Sequence, residues 1–211
     1  MTVLRVGRQS AISNDTRRRS TIRDIIKLTI AATLFLANVA YAQSDRPEIS
    51  FSVTREGEYL RTDAHVDLPV APAAVWAVLT DYERYPLFIS SMRESKIVAR
   101  RPEGLVVAQK GSFSFLFFTQ EIDVRLLVSE FPPNVIESRA IEGDFRVMTG
   151  RYEILPHGSM IRLSYSGRLQ PSFPLPPIIG TSIVRYTLLR NLREMVDEIL
   201  RRDAATGATA R

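Results

Sequence analysis

Histidine and cysteine, which serve many enzymes as base, nucleophile or metal ligand, are scarce in this chain of 211 residues, which contains two histidines and no cysteine. His65 lies in a stretch where polar and apolar residues alternate, and His157 lies in a Pro-His-Gly turn. Neither histidine stands at metal-ligand spacing from a second histidine or a carboxylate. The chain also lacks a Gly-x-Ser-x-Gly nucleophile turn, a phosphate-binding glycine loop and a dinucleotide fingerprint. We therefore expect no metal ion, no cofactor and no thiol nucleophile.

A second group of polar residues has the chemistry to orient a ligand head group or to exchange a proton with a substrate. Two of them, Arg146 and Tyr165, fall in predicted strands and are our candidates for ligand contacts. One such side chain inside an apolar cavity would permit a cyclase, dehydratase or hydrolase reaction, so an enzymatic function stays open. Ion pairs or edge packing are the alternative roles of the whole group, which also includes Asp81, Arg84, Tyr85 and Tyr152.

The most distinctive stretch of the sequence is aromatic and runs from Phe113 to Phe118. Phe113, Phe115 and Phe117 share one strand parity, whereas Leu116 and Phe118 have the other. Apolar side chains on both faces indicate either a hairpin tip or a strand that is covered on both sides. Three roles follow from this: a portal that touches a ligand tail or a membrane surface, a docking site for a partner protein, and a core strand.

The clearest periodicity lies near the C-terminus, where apolar residues are spaced three or four positions apart and charged residues largely occupy the other side. This pattern predicts a long amphipathic helix. Its candidate ligand contacts are Val184, Leu188, Leu192 and Met195, with plain core packing as the alternative.

Before this helix the chain is predicted to be mostly β-sheet. Alternating residues at 49–53 and 60–68 predict an opening strand pair, and two short helices or turns follow within residues 73–85. From residue 92 to 169, four turn clusters separate the strands of an antiparallel meander. The prolines of residues 170–177 end the last strand, and this crossover either gates a cavity or anchors the helix.

The first 42 residues have the three parts of a secretory signal: a basic stretch at 17–27, an apolar run at 28–40 and a small-residue site that ends at Ala42. The apolar run is shorter than the roughly 18 to 20 residues that cross a bilayer, so a permanent span is the weaker alternative. We expect cleavage after Ala42 and a periplasmic location. The mature chain would comprise a linker at 43–48, one domain at 49–201 and a disordered tail at 202–211.

The net charge of +5 lies entirely in this N-terminal segment, which holds seven basic and two acidic residues. The remaining chain is neutral and lacks the cationic field on which non-specific nucleic-acid affinity depends. We therefore expect no nucleic-acid partner.

Two segments carry a resemblance to a known superfamily. The sequence VDLPVAPAAVWAVLTDYERYPLFISSMRESKIV (Val66 to Val98) and the sequence IEGDFRVMTGRYEI (Ile141 to Ile154) are similar to bacterial polyketide cyclase/dehydrase-type and coenzyme Q-binding domains. These domains belong to the helix-grip superfamily, with the steroidogenic-acute-regulatory-related (START) lipid transfer domains. Where the coenzyme Q-binding relatives usually carry a proline and a tryptophan, this chain has Ile89-Ser90-Ser91.

The resemblance implies an α+β helix-grip fold, in which a curved antiparallel sheet of six to seven strands wraps a long C-terminal helix. Two short helices follow the first strands. A helix that does not fill such a sheet leaves an apolar cavity, which suits a lipid, sterol, quinone or polyketide-like molecule. The leading hypothesis is binding, transport or sequestration of such a ligand; a cyclase, dehydratase or hydrolase and a protein-interaction module are the alternatives.

Overall fold

A computed structural model of the chain describes residues 46–115, 118–175 and 180–209. A compact unit from Pro47 to Arg211 contains all of the described elements, and none of the described helices is long and apolar enough to cross a membrane. In chain order the elements are β1 (Ser50–Glu56), β2 (Tyr59–Leu68), α1 (Pro72–Leu79), a 3-10 helix (Tyr82–Leu87), β3 (Met92–Arg101), β4 (Gly104–Phe115), β5 (Phe118–Phe131), β6 (Val135–Gly143), β7 (Phe145–His157), β8 (Met160–Pro171) and α2 (Gly180–Thr209).

The described strands form one antiparallel sheet in the order β1-β2-β8-β7-β6-β5-β4-β3. Together with the two short helices and α2, this is the helix-grip arrangement that the sequence predicts. The sheet has eight strands, however, where we expected six to seven. The additional strand arises because β4 and β5 pair up to Phe115 and Phe118, so the chain reverses inside the aromatic stretch. No turn-forming residue marks that reversal in the sequence.

The inner face of the sheet is apolar because side chains alternate along each strand. On β2, Leu60, Val66 and Leu68 are buried, whereas His65 lies on the outer face and is exposed, as expected. Thr62 interrupts the apolar series and is nevertheless fully buried. The sheet therefore has the wet face and the buried face that its sequence pattern predicts.

The long helix α2 covers the inner face with the predicted apolar stripe, and Val184, Met195 and Ile199 are buried in it. The helix does not end near Arg201, where we expected the domain to end. It continues to Thr209, because three of the last residues are alanines, which favour helix. The residues beyond 201 are therefore helical through 209 and not a disordered tail.

Side chains satisfy backbone groups on both edge strands of the sheet. At β1, the Arg185 Nη1 atom of α2 donates a hydrogen bond of 3.0 Å to the Phe51 carbonyl, and its guanidinium lies 5.9 Å from the Phe51 ring centre. At β3, the Ile97 backbone N–H donates to Glu83 Oε1 over 3.4 Å. These contacts interrupt the rows of unpaired backbone groups that edge strands otherwise present.

An ionic network attaches the C-terminal half of α2 to the segment that joins the two short helices. Glu198 is 8% exposed and accepts hydrogen bonds from Arg201 Nε at 2.7 Å and from Arg202 Nε at 2.6 Å. Arg202 Nη1 in turn donates to Asp81 Oδ2 over 2.7 Å. The hydrogen bond from Arg201, reinforced by Arg202, lowers the pKa of Glu198 to about 2 although its burial acts in the opposite direction.

The Glu198→Gln variant is expected to be less stable than the wild type near neutral pH and to depend less on pH in acid. A free glutamate has a pKa of about 4.3, above the folded value, so ionisation of Glu198 favours the folded state. That contribution is complete above roughly pH 4.3 and is lost as the pH falls towards 2. Thermal unfolding should therefore show a difference between the two proteins that is largest near pH 7 and smallest near pH 2.

The matched control is Asp197→Asn, on the exposed side of α2. A surface substitution of this kind changes stability by no more than about 0.5 kcal/mol. A wild-type-to-Gln difference that stays constant from neutral pH to pH 2 would contradict the role of the Glu198 carboxylate.

Candidate ligand cavity

A cavity of about 170 Å³ lies between α2 and the inner face of the sheet. Most of its walls are aliphatic or aromatic side chains, and α1, the 3-10 helix and the loop after it close one end. The lining residues are Phe51, Leu79, Tyr82, Tyr85, Ile89, Met92, Gln109, Leu126, Val128, Ile136, Ser138, Met148, Tyr152, Tyr165, Leu188, Asn191, Leu192 and Met195.

Two tyrosines of the cavity are held by hydrogen bonds to the protein. The Tyr85 hydroxyl donates to the Leu79 carbonyl over 2.6 Å, and the Tyr82 hydroxyl donates to Glu130 Oε1 over 2.8 Å. Burial raises the pKa of both phenols, and at Tyr82 the neighbouring Glu130 carboxylate raises it further. Both phenols are therefore neutral, and each already donates its proton within the protein.

Two further tyrosines, Tyr152 of β7 and Tyr165 of β8, form a pair on the sheet. Their ring centres are 4.7 Å apart and their planes are inclined by 44°. Burial raises the pKa of both phenols. At Tyr165 a hydrogen bond with Thr62 partly offsets this increase. The Tyr152 hydroxyl has no hydrogen-bond partner among the described residues. It is therefore the phenol of the cavity most available to a ligand oxygen.

A row of small residues crosses the middle of the sheet beneath these rings. Ser138 of β6 is opposite Gly150 of β7, Gly150 is opposite Gly167 of β8, and Gly167 is opposite Thr62 of β2. We call these four residues the small-residue row. The row leaves room for the Tyr165 ring, because a Cβ atom on Gly167 would come within 2.6 Å of the Tyr165 hydroxyl.

A side chamber of about 100 Å³ adjoins the cavity towards the β4–β5 hairpin. Phe113 and Phe145 line it, with ring centres 6.3 Å apart in an edge-to-face contact. Methionine side chains are flexible, so the wall between the two spaces is adaptable. The residues that line both spaces are Met92, Gln109, Met148, Leu188 and Asn191.

The loop between the 3-10 helix and β3 closes the cavity beside α2. The Ser90 backbone N–H and hydroxyl donate to the two carboxylate oxygens of Glu194, over 2.9 and 2.5 Å. The Ser91 hydroxyl donates to Asn191 Oδ1 over 2.8 Å. Because Ile89 of the same loop lines the cavity, these hydrogen bonds fix one of its walls to α2.

Residues 68–196, which supply most of the cavity walls, match the family model described as polyketide cyclase / dehydrase and lipid transport. The chain belongs to this family. The description of the family covers polyketide cyclase or dehydrase activity and lipid transport, so membership indicates a hydrophobic ligand or substrate. No curated protein sequence matches the chain significantly.

Solved structures of helix-grip proteins share the fold. A START superfamily protein from Mycobacterium smegmatis has a TM-score of 0.56 at 16% identity, over 67% of this chain and 97% of that one. The Zhui aromatase/cyclase from Streptomyces sp. R1128 has a TM-score of 0.55 at 15% identity, over 69% of this chain and 94% of that one. A STAR-related lipid transfer protein from Xanthomonas axonopodis has a TM-score of 0.56 at 12% identity, over 74% of this chain and 95% of that one. At such identities these likenesses show the shared fold alone.

The structure brings together five of the residues predicted to contact a ligand. Leu188, Leu192, Met195 and Tyr165 line the main cavity, and Phe113 lines the side chamber. Contact between these residues and a ligand stays a prediction.

The other predicted contacts are not at the cavity or lie outside the described residues. Val184 is fully buried in the core and lines neither space. Arg146 is exposed, and the register shift between Phe145 and Val147 disrupts the strand alternation that would have placed it. The Phe115 side chain and all of Phe117 lie outside what the structure describes.

Two amides of the cavity were not among our candidates. Asn191 lies on the apolar stripe of α2 between Leu188 and Met195, where a polar residue could have been noticed from the spacing alone. Gln109 of β4 donates from Nε2 to Ser95 Oγ over 3.3 Å, and no pattern in the sequence distinguishes it.

A larger groove of about 510 Å³ lies on the outer face of the sheet, but its chemistry differs. Arg61 pairs with Asp63 over 2.8 Å, and Arg151 pairs with Glu153 over 2.7 Å and with Glu137. These ion pairs are solvent-exposed, so they contribute little and resemble an ordinary charged surface. The groove does not suit an apolar guest.

Replacing Leu188 with phenylalanine should fill the junction between the cavity and the side chamber, because Leu188 lines both. We expect the affinity for a neutral apolar probe, 1-N-phenylnaphthylamine, to fall at least about tenfold, or about 1.4 kcal/mol. Fluorescence titration measures this loss. The melting temperature should change little, since the added atoms enter empty space.

The control is Leu189→Phe, which is the same substitution one residue further along α2. Leu189 lines neither the cavity nor the side chamber. It should bind the probe as the wild type does. Equal affinities for Leu188→Phe and Leu189→Phe would mean that the probe binds elsewhere.

Proposed function

We propose that this protein binds one hydrophobic small molecule in the periplasm and transports or sequesters it. The cavity between α2 and the sheet carries the proposal, because it combines apolar walls with a few neutral polar groups. Ligand sites in proteins are typically concave and mostly apolar, with a small number of polar groups that fix the orientation of the guest.

The dimensions of the cavity limit the guest. Its volume of about 170 Å³ is below the roughly 300 to 1,000 Å³ of drug-sized sites, whereas an apolar cavity of about 150 Å³ in another protein holds benzene. A ring or a short length of hydrocarbon chain therefore fits as the walls stand. A longer lipid, sterol, quinone or polyketide-like molecule would extend into the side chamber, past Met92 and Met148.

The polar part of the guest is expected to be uncharged. The ionisable groups that line the main cavity are tyrosines whose pKa burial raises, so they remain neutral. A charged group in such surroundings would lose hydration and gain no counter-charge. The Tyr152 hydroxyl and the amides of Gln109 and Asn191 offer hydrogen bonds to a carbonyl or hydroxyl oxygen.

An aromatase/cyclase-type reaction is the second candidate, supported by the fold shared with the Streptomyces aromatase/cyclase. The phenols of Tyr152 and Tyr165 could donate hydrogen bonds to a substrate carbonyl and polarise it. A raised pKa makes a phenol a poor source of phenolate, however, and a cyclisation that begins with proton abstraction needs a base. Binding without chemistry is therefore the first candidate.

Export precedes binding in this proposal. Cleavage after Ala42 would leave a few polar residues before the compact unit that begins at Pro47. The side chamber extends towards the β4–β5 hairpin, and Phe113 lines it. This supports transfer of the guest through transient contact of the aromatic hairpin with a membrane surface.

Native mass spectrometry of the protein purified from its own periplasm tests the proposal. We expect a mature chain that begins at Gln43 and carries one neutral hydrophobic molecule, which solvent extraction removes and identifies. The emptied protein should then take up fluorescent lipid, quinone or sterol probes. The Leu188→Phe variant, purified in the same way, should carry less of the molecule.

An empty protein that takes up no probe would remove the support for a carrier. Conversion of the extracted molecule by the purified protein would favour the enzyme instead. An uncleaved chain retained in the cytoplasm would contradict the location and leave the binding function intact.

A further inference from the structure

The size of the guest depends on a residue that does not line the cavity. We infer that Gly150 of β7 is a specificity-determining residue, because its missing side chain lets the ring of Tyr165 lie flat against the sheet. This inference rests on the proposed function, since it concerns which neutral, ring-containing molecules the same cavity accepts. Gly150 lines the outer groove and not the cavity, so its effect on a guest would be indirect.

Side-chain atoms lie close to the position that a Cβ atom on Gly150 would occupy. A Cβ atom there would lie 3.0 Å from Ser138 Oγ, 3.1 Å from Tyr165 Cε2 and 3.2 Å from the Tyr165 hydroxyl. All three are side-chain atoms, and each would have to move by a few tenths of an ångström. The backbone of Gly150 has no positive φ, so alanine adopts the same conformation without strain.

Displacement of either side chain changes the wall of the cavity. Both Tyr165 and Ser138 line the main cavity. Beneath Tyr165 the sheet itself blocks any movement, because the ring already lies over Gly167, whose Cβ would come within 2.6 Å of the Tyr165 hydroxyl. On one side stands the Tyr152 ring, with its centre 4.7 Å away. A methyl group at position 150 therefore reduces the space above the small-residue row.

Gly150 is also a better probe of this effect than Gly167. A Cβ atom on Gly167 would approach the Thr149 backbone carbonyl to 2.8 Å, so substitution there would disturb the sheet itself. At Gly150 the close contacts are side chains alone. A change in ligand size can thus be separated from damage to the fold.

The test is a series of hydroxylated aromatics with one, two and three rings: phenol, 2-naphthol and 2-hydroxyanthracene. Each competes with 1-N-phenylnaphthylamine for the full mature chain. Relative to phenol, Gly150→Ala should weaken the largest compound that the wild type binds by about tenfold, as expected when a pocket loses the room of about one methylene group. Tyr165→Leu should shift the preference towards more rings.

Two comparisons make the assignment specific. Gly207→Ala, in the exposed end of α2, where a Cβ meets nothing within 4 Å, should leave the size profile unchanged. The loss caused by Gly150→Ala should shrink in the Tyr165→Leu or the Ser138→Ala background, because one of those side chains transmits it. Melting temperatures of all variants verify the fold.

A Gly150→Ala protein that is folded and has the wild-type size profile would overturn the inference. Should that variant not fold, a Tyr165→Leu protein with unchanged size preference would overturn it as well. A wild-type protein that binds neither the probe nor any compound of the series would refute the proposed function instead.

Discussion

A single helix is too narrow to cover the concave face of an eight-stranded sheet, and the rest of the structure depends on that mismatch. The apolar stripe of α2 buries Val184 and Ile199 fully, so the helix is firmly packed along part of its length. Between Leu188 and Met195 the cavity lies between the helix and the sheet. Two glycines of the small-residue row leave room beside the sheet for the Tyr165 ring, which lines this cavity. The cavity is thus a consequence of the fold and not of a local defect in packing.

Polar contacts hold α2 around the cavity, and apolar contacts hold it elsewhere. Glu194 accepts a hydrogen bond from Ser90 of the loop before β3, and Glu198 is connected through Arg202 to Asp81. These hydrogen bonds lie at the rim, where charged groups keep some access to water. Because the helix is fixed there, its middle part does not have to fill the sheet in order to stay in position. The protein therefore maintains an open interior without losing the attachment of its longest helix.

Much of the fold follows from the sequence, because alternation on β2 and the spacing of the α2 stripe reflect burial directly. The sequence left a hairpin tip and a covered strand open for the aromatic stretch, because no glycine, proline or asparagine marks a turn there; the pairing of Phe115 with Phe118 decides for the hairpin. The location of Arg146 was missed because strand parity fails across a register shift. Tyr165 could be selected as a phenol on a strand, whereas Gly150 could not. The role of Gly150 depends on which residues of β6 and β8 lie beside it. That pairing register cannot be predicted from the sequence of one strand alone.

The contact of Arg185 with the β1 edge limits how far this protein can open. A guest that required α2 to lift away would break the bond to the Phe51 carbonyl and leave that group unpaired on the free edge of β1. The chain contains no cysteine, so no disulfide bond holds the helix to this edge. Admission of a guest is therefore compatible with solubility only when the flexible side chains and the loop at Ser90 move and the helix stays in place. Under the proposed function, this one arginine contact limits both the entry of a guest and the exposure of the β1 edge.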